Sequence, residues 1–370
     1  TAYMNAASYF PTFLGIVAFM SAIMAWRFYM SPTSALSDRG SRGSIYLCIP
    51  LSLVLALWIG MRPLDPMAFG DTFSYAHSYM NVPIHLVFNN MGKGEWLFAW
   101  IGVACKLLGL DVHGYFTVIA VIYVMSGTWA IQRFVPKNPL LGLTFLCGSL
   151  MYFTFATNGI RNGMACHMLL LGMSFFLQSR YIIAAIIGIA AFGTHNSVVL
   201  PIASMLAARW VITRPRHAIY IWLGSIVLSL IGGNAFIGLF SSLGFDERME
   251  SYGNLNTQGL GFSGTGFRWD FLLYSAMPVV MGYVVLVRRG MRENWYRVLF
   301  CTYCMANAFW VLVIRAAFTN RFAYLSWFMY PLVIADPLLM MRVWPDQDRR
   351  TAQILLAYVG FTIIMNTLYW

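Results

Sequence analysis

A chain of 370 residues that is 59% hydrophobic and only 10% charged falls far below the roughly 25% charge of a soluble domain, which excludes an ordinary water-soluble fold. Its formal net charge is +11, but the basic residues stand at the ends of apolar runs and form neither a stripe nor an RNA-binding motif, which argues against nucleic acid as a partner. Lysine occurs only at Lys93, Lys106 and Lys137, so the charge is nearly all arginine, whose planar fork suits bidentate contact with phosphate or carboxylate.

A membrane helix needs about 20 apolar residues. Runs of that kind, ended by charge, Pro or Gly, fall at 8–29, 44–61, 114–132, 139–157, 161–178, 181–194, 197–210, 217–240, 270–287, 296–314, 321–341 and 352–370. They predict an all-α polytopic membrane protein of about twelve transmembrane helices, forming a single integral membrane domain over 1–370. The first run lacks a small-residue cleavage site and is expected to remain as an anchor. Basic loops recur on alternate sides, at Arg27 to Arg42, Arg133 with Lys137, Arg180, Arg209 to Arg216, Arg288 to Arg292 and Arg342 to Arg350. The positive-inside rule makes these loops cytoplasmic. Both termini and two long loops, 62–113 and 241–269, then face the periplasm of an inner membrane. Within the first loop, 95–110 is apolar but short and reads as a helix lying in the interface. The second is rich in Gly, Asn, Ser and Thr, and suits either a lid over substrate or a disordered segment without function.

Cysteines 48, 105, 147, 166, 301 and 304 mostly fall inside apolar runs and read as small buried hydrophobes. His77, His85 and His113 lack metal-ligand spacing, so neither metal nor cofactor is expected. More informative are the arginines on the disfavoured side: Arg62, Arg161, Arg248, Arg268, Arg315 and Arg321. For Arg62 or Arg248, snorkelling to headgroups and a role in binding are equal readings. Arg161 and Arg315 lie against apolar sequence, where an unpaired charge costs about 2.5–3.5 kcal/mol or more. Few carboxylates lie on that side, namely Asp65, Asp71, Glu95, Asp111, Asp246, Glu247, Glu250 and Asp270. An external anion such as a lipid-linked diphosphate would balance the excess.

If 71–79 is helical, Asp71, Tyr75 and Tyr79 share one face, which suits sugar hydroxyls with the carboxylate as general base. Asp71 as a plain N-cap fits the same spacing. His195 lies between two short apolar runs, so its turn sits below the membrane surface and faces a polar cavity, where it is either a satisfied core histidine or an acid, base or phosphate contact.

Asp71-Thr-x-x-Tyr75-x-x-x-Tyr79, Asn158-Gly-x-Arg161, His195-x-Ser197 with Pro201, Gly266-Phe-Arg268-x-Asp270 and Asn320-Arg321-x-x-Tyr324 together resemble the EpsG-like branch of the O-antigen polymerases, the Wzy-type enzymes. The resemblance spans most of the chain in matching order. It implies a GT-C-like fold and a metal-independent membrane glycosyltransferase that joins undecaprenyl-diphosphate-linked oligosaccharide units at the periplasmic face, with a chain-length regulator as a partner. On this reading Arg161, Arg268, Arg315 and Arg321 hold the diphosphate. Tyr75, Tyr79, Asp270 and Tyr324 contact sugar or acceptor, Asp71 activates the acceptor, and His195 is second choice for that role. A flippase for the same lipid-linked sugars and an O-antigen ligase remain as alternatives.

Overall fold

The computed structural model describes residues 5–30, 41–89, 94–232, 235–242, 266–316 and 319–369. Arg248 and most of the expected lid, residues 243–265, lie outside the described residues. Every regular element among those described is helical: α1 (Ala6–Met30), α2 (Ser41–Gly60), α3 (Pro66–Phe69), α4 (Thr72–Asn81), α5 (Trp96–Leu107), α6 (Val112–Phe134), α7 (Pro139–Cys147), α8 (Tyr152–Thr157), α9 (Ile160–Leu177), α10 (Tyr181–Thr194), α11 (Val199–Trp210), α12 (Pro215–Gly232), α13 (Ala235–Ser242), α14 (Trp269–Gly282), α15 (Asn294–Leu312), α16 (Thr319–Trp327), α17 (Tyr330–Met340) and α18 (Gln347–Tyr369). Short 3₁₀ turns at Ile84–Asn89 and Asn196–Val198 and a π turn at Tyr283–Arg288 complete the set.

Each predicted apolar run carries helix. Six segments among the described residues are long and apolar enough to cross a membrane, namely Ala6–Met30, Val112–Phe134, Ile160–Leu177, Trp269–Arg288, Thr319–Met340 and Gln347–Leu368. The chain is a multi-pass helical membrane protein. The run 139–157, expected as one continuous helix, is broken between α7 and α8. Its freed carbonyl at Gly148 accepts a hydrogen bond from the Thr362 hydroxyl of α18 at 2.7 Å, so an interior break leaves no unpaired acceptor there.

The helices form two compact units, Thr1–Asn196 with Ala335–Trp370, and Ser197–Ile334. In the first, α1 packs on α18, α2 on α6, α6 on α9, and α9 on α10. A Cβ at Gly60 would stand 2.2 Å from the Thr117 hydroxyl, so α2 and α6 approach too closely for any larger residue. Further along the same pair, the Ser52 and Thr128 hydroxyls bond at 2.7 Å. In the second unit α15 packs against α11, α12, α14 and α16, around a buried polar knot. Asn307 accepts from Trp222 Nε1 at 2.7 Å and donates to the Ser275 and Ser326 hydroxyls at 3.1 and 2.9 Å, while Trp327 Nε1 donates to Ser275 at 2.7 Å. Groups that would otherwise be buried without partners thus satisfy one another.

Candidate functional site

Among its described residues, the loop expected to hold a helix at 95–110 carries that helix as α5, preceded by α3 and α4. Asp65 starts α3 by accepting from the Met67 and Ala68 amides at 2.8 and 3.3 Å. Gly70 then turns the chain with φ +49°, and a Cβ there would meet the Asn158 amide at 2.8 Å. This close approach lets the Asp71 amide donate to Asn158 Oδ1 at 2.9 Å, while the Thr72 hydroxyl donates to the Thr157 carbonyl at 2.6 Å. The start of α4 is therefore bolted to the joint between α8 and α9.

Arg62 secures the same joint. It does not snorkel: at 1% exposure it donates to the Thr72 hydroxyl and to the carbonyls of Ile59 and Thr157 at 3.1, 3.0 and 3.3 Å, with its guanidinium 4.2 Å from the Phe116 ring centre. Satisfying a buried cation with neutral acceptors keeps its charge inside the fold without a carboxylate.

Arg161 occupies the first turn of α9, where its charge opposes the helix dipole and needs compensation. Its Nε donates to the Tyr75 hydroxyl of α4 at 2.9 Å, and its Nη1 pairs with Glu95 at the N-terminus of α5. The other oxygen of Glu95 accepts from His195 Nδ1 at 2.7 Å. His195 caps the C-terminus of α10, its amide bonded to the Ala191 carbonyl at 3.0 Å. A Cβ at Gly193 would stand 2.4 Å from the Trp96 indole, and one at Gly94, whose φ is +105°, would stand 2.5 Å from Asn196 Oδ1. Two glycines thus let the start of α5 lie on the end of α10 and bring Glu95 to the histidine. The Arg161, Glu95 and His195 side chains are 12%, 8% and 17% exposed, so the cluster is largely desolvated without being fully sealed.

Three of the predicted site residues meet here: Tyr75 bonds Arg161 directly, and Glu95 joins Arg161 to His195. Glu95 itself had stood only among the scarce outer carboxylates. Asp71 lies at the N-cap of α4, one turn from Tyr75, and its side chain does not cap the helix. Tyr79, on the same face, is committed to packing. Its hydroxyl donates to the Leu110 carbonyl at 2.8 Å, and its ring stacks on Tyr115 at 4.3 Å. Burial pushes the Tyr79 hydroxyl above its ordinary value and the neighbouring Lys106 ammonium below its own.

In the second unit Arg268 forks onto Asp270 at 2.9 and 2.6 Å and lies 3.7 Å over the Phe271 ring. Arg315 donates to the Ser229 carbonyl at 2.5 Å and faces the Phe267 ring at 5.2 Å. Arg321 opens α16, with Tyr324, 2% exposed, on its next turn. Among the described residues no group of three His, Cys, Asp or Glu is placed to hold a metal ion. Cys301 and Cys304 are buried thiols.

A family model described as the EpsG family matches residues 44–370. No curated protein and no solved structure matches the chain.

Proposed function

The chain belongs to the EpsG family, and from that premise we propose that it is a membrane glycosyltransferase polymerising undecaprenyl-diphosphate-linked oligosaccharide units into a surface polysaccharide. The observation that carries the site is the Tyr75, Arg161, Glu95 and His195 cluster at the joint of α4, α5, α9 and α10. In the transfer, the acceptor hydroxyl oxygen bonds to the anomeric carbon of the donor. The bond from that carbon to the diphosphate breaks, and its electron pair leaves with the diphosphate.

Two groups meet the needs of that step. A guanidinium has five N–H donors, of which Arg161 commits one to Tyr75 and one to Glu95, so the fork retains donors for a phosphate oxygen as charge develops on it. His195, within the same cluster, takes the acceptor proton as general base. On this reading His195 is preferred to Asp71 as the base, and Asp71, a turn of α4 from Tyr75, is assigned to orienting acceptor hydroxyls together with Tyr75. In the second unit, Arg268, Arg315 and Arg321 are assigned to the anionic substrate, and Asp270 and Tyr324 to its sugars. The same reading sets about twelve spans and a GT-C-like topology, with the cluster toward the periplasm.

The test is the purified protein in liposomes given only the lipid-linked repeat unit. A ladder of products marks a polymerase, transport without a ladder marks a flippase, and transfer that requires a second acceptor marks a ligase. His195→Ala is expected to abolish the ladder and Asp71→Asn to slow it less. The reverse order returns the base to Asp71.

A further inference from the structure

Glu95 has no part in the chemistry as described, yet it touches both working groups, Arg161 through one carboxylate oxygen and His195 through the other. We propose that Glu95 is a positioning residue of the transfer reaction: one carboxylate oxygen sets His195 in the tautomer with its lone pair on Nε2, and the other ties that ring to Arg161. The inference rests on the polymerase reading for its kinetics and on geometry alone for the tautomer.

An ionised carboxylate only accepts hydrogen bonds, so the 2.7 Å contact from Nδ1 to Oε1 requires the hydrogen on Nδ1. A neutral imidazole then carries its lone pair on Nε2, the nitrogen that can receive the acceptor's proton. Among the described residues, three side chains from three helices meet the histidine's side of the cluster. Glu95 comes from the start of α5 and Arg161 from α9, and Tyr75 of α4 bonds Arg161 in turn. With a side chain 8% exposed, Glu95 is held by two partners and by the Trp96 to Gly193 and Asn196 to Gly94 contacts. It therefore fixes the base and the diphosphate-binding group in one register. When the acceptor oxygen bonds the anomeric carbon, its proton passes to Nε2, and Glu95 stabilises the imidazolium without taking the proton itself.

Glu95→Gln separates this role from that of a plain counter-ion. If the Gln carbonyl turns to Arg161, its amide donates to His195 Nδ1, which moves the ring hydrogen to Nε2 and blocks the base. The expected result is a fall in kcat of about 10²- to 10⁴-fold, with KM for the lipid-linked unit within about threefold, since Arg161 keeps an acceptor. Glu95→Asp, which retains the charge, is expected to recover part of kcat. A rise in KM with kcat little changed would make Glu95 a counter-ion of Arg161 and overturn the proposal.

A second measurement needs no active variant. In ¹⁵N-histidine spectra of the wild-type protein, the signal lost in His195→Asn is expected to report hydrogen on Nδ1 and none on Nε2 at neutral pH. The opposite tautomer overturns the proposal, even if the Gln variant fails to fold. Should the wild-type protein make no ladder while the spectra show the expected tautomer, the polymerase reading fails and the positioning geometry stands.

Discussion

At the scale of single residues, Arg161 and Arg62 are the same group put to opposite uses. Arg161 has anionic and phenolic partners and some exposure, whereas Arg62 is sealed among carbonyls and a hydroxyl. Arg161→Lys keeps the charge but loses the planar fork that reaches Tyr75 and Glu95 together. Its ladder rate is expected to fall about 100-fold, and a rate close to wild type would remove Arg161 from the site. Arg62→Ala deletes several buried charge-assisted hydrogen bonds and is expected to cost about 3 kcal/mol of stability, read as a lower midpoint of unfolding in mild detergent. An unchanged midpoint would mean that the clamp is dispensable. The sequence singled out Arg161 because a guanidinium beside apolar residues demands a partner. It did not single out that partner, because Glu95 lies 66 residues away and nothing in its own neighbourhood distinguishes it from other outer carboxylates. Helical spacing likewise put Asp71, Tyr75 and Tyr79 on one face, but only the fold shows Tyr79 spent on Leu110 and Tyr115.

At the scale of elements, helix positions were legible because hydrophobic runs and their breakers are local properties. Where a helix breaks inside an apolar run was not, since α7 and α8 read as one continuous stretch and their division is made tolerable by Thr362, far along the chain. Thr362→Val keeps the shape and removes the donor. It is expected to destabilise the first unit by about 1–3 kcal/mol, seen as faster hydrogen exchange in α7 and α8, and unchanged exchange would show that Gly148 needs no such partner. In the loop at 62–113 the described helices are held by contacts distant in sequence, the Asp71 amide to the Asn158 side chain and the Thr72 hydroxyl to the Thr157 carbonyl. Gly70 is where this order is most exposed to substitution, with a left-handed φ and no space for a Cβ beside Asn158. Gly70→Ala is expected to cost about 1–3 kcal/mol and to shift α4, lowering the ladder rate together with the unfolding midpoint. A variant with both values intact would show that the turn has slack.

For the whole molecule, composition settled that the chain is a helical membrane protein, and charge asymmetry supplied the proposed orientation. Single cysteines introduced between α11 and α12, beside Arg214, are expected to react with a membrane-impermeant thiol reagent only from the cytosolic side, and ones in α4 only from the periplasmic side. Reversed labelling would turn the proposed topology over. The partners of Glu95 also set a schedule. Arg161 follows it by 66 residues and His195 by 100, so during synthesis the acid emerges well before either base has left the ribosome. Until then it is a carboxylate in search of a counterpart, and nascent chains stalled short of His195 should remain dependent on the insertion machinery or its chaperones, while chains stalled beyond it should be released from them.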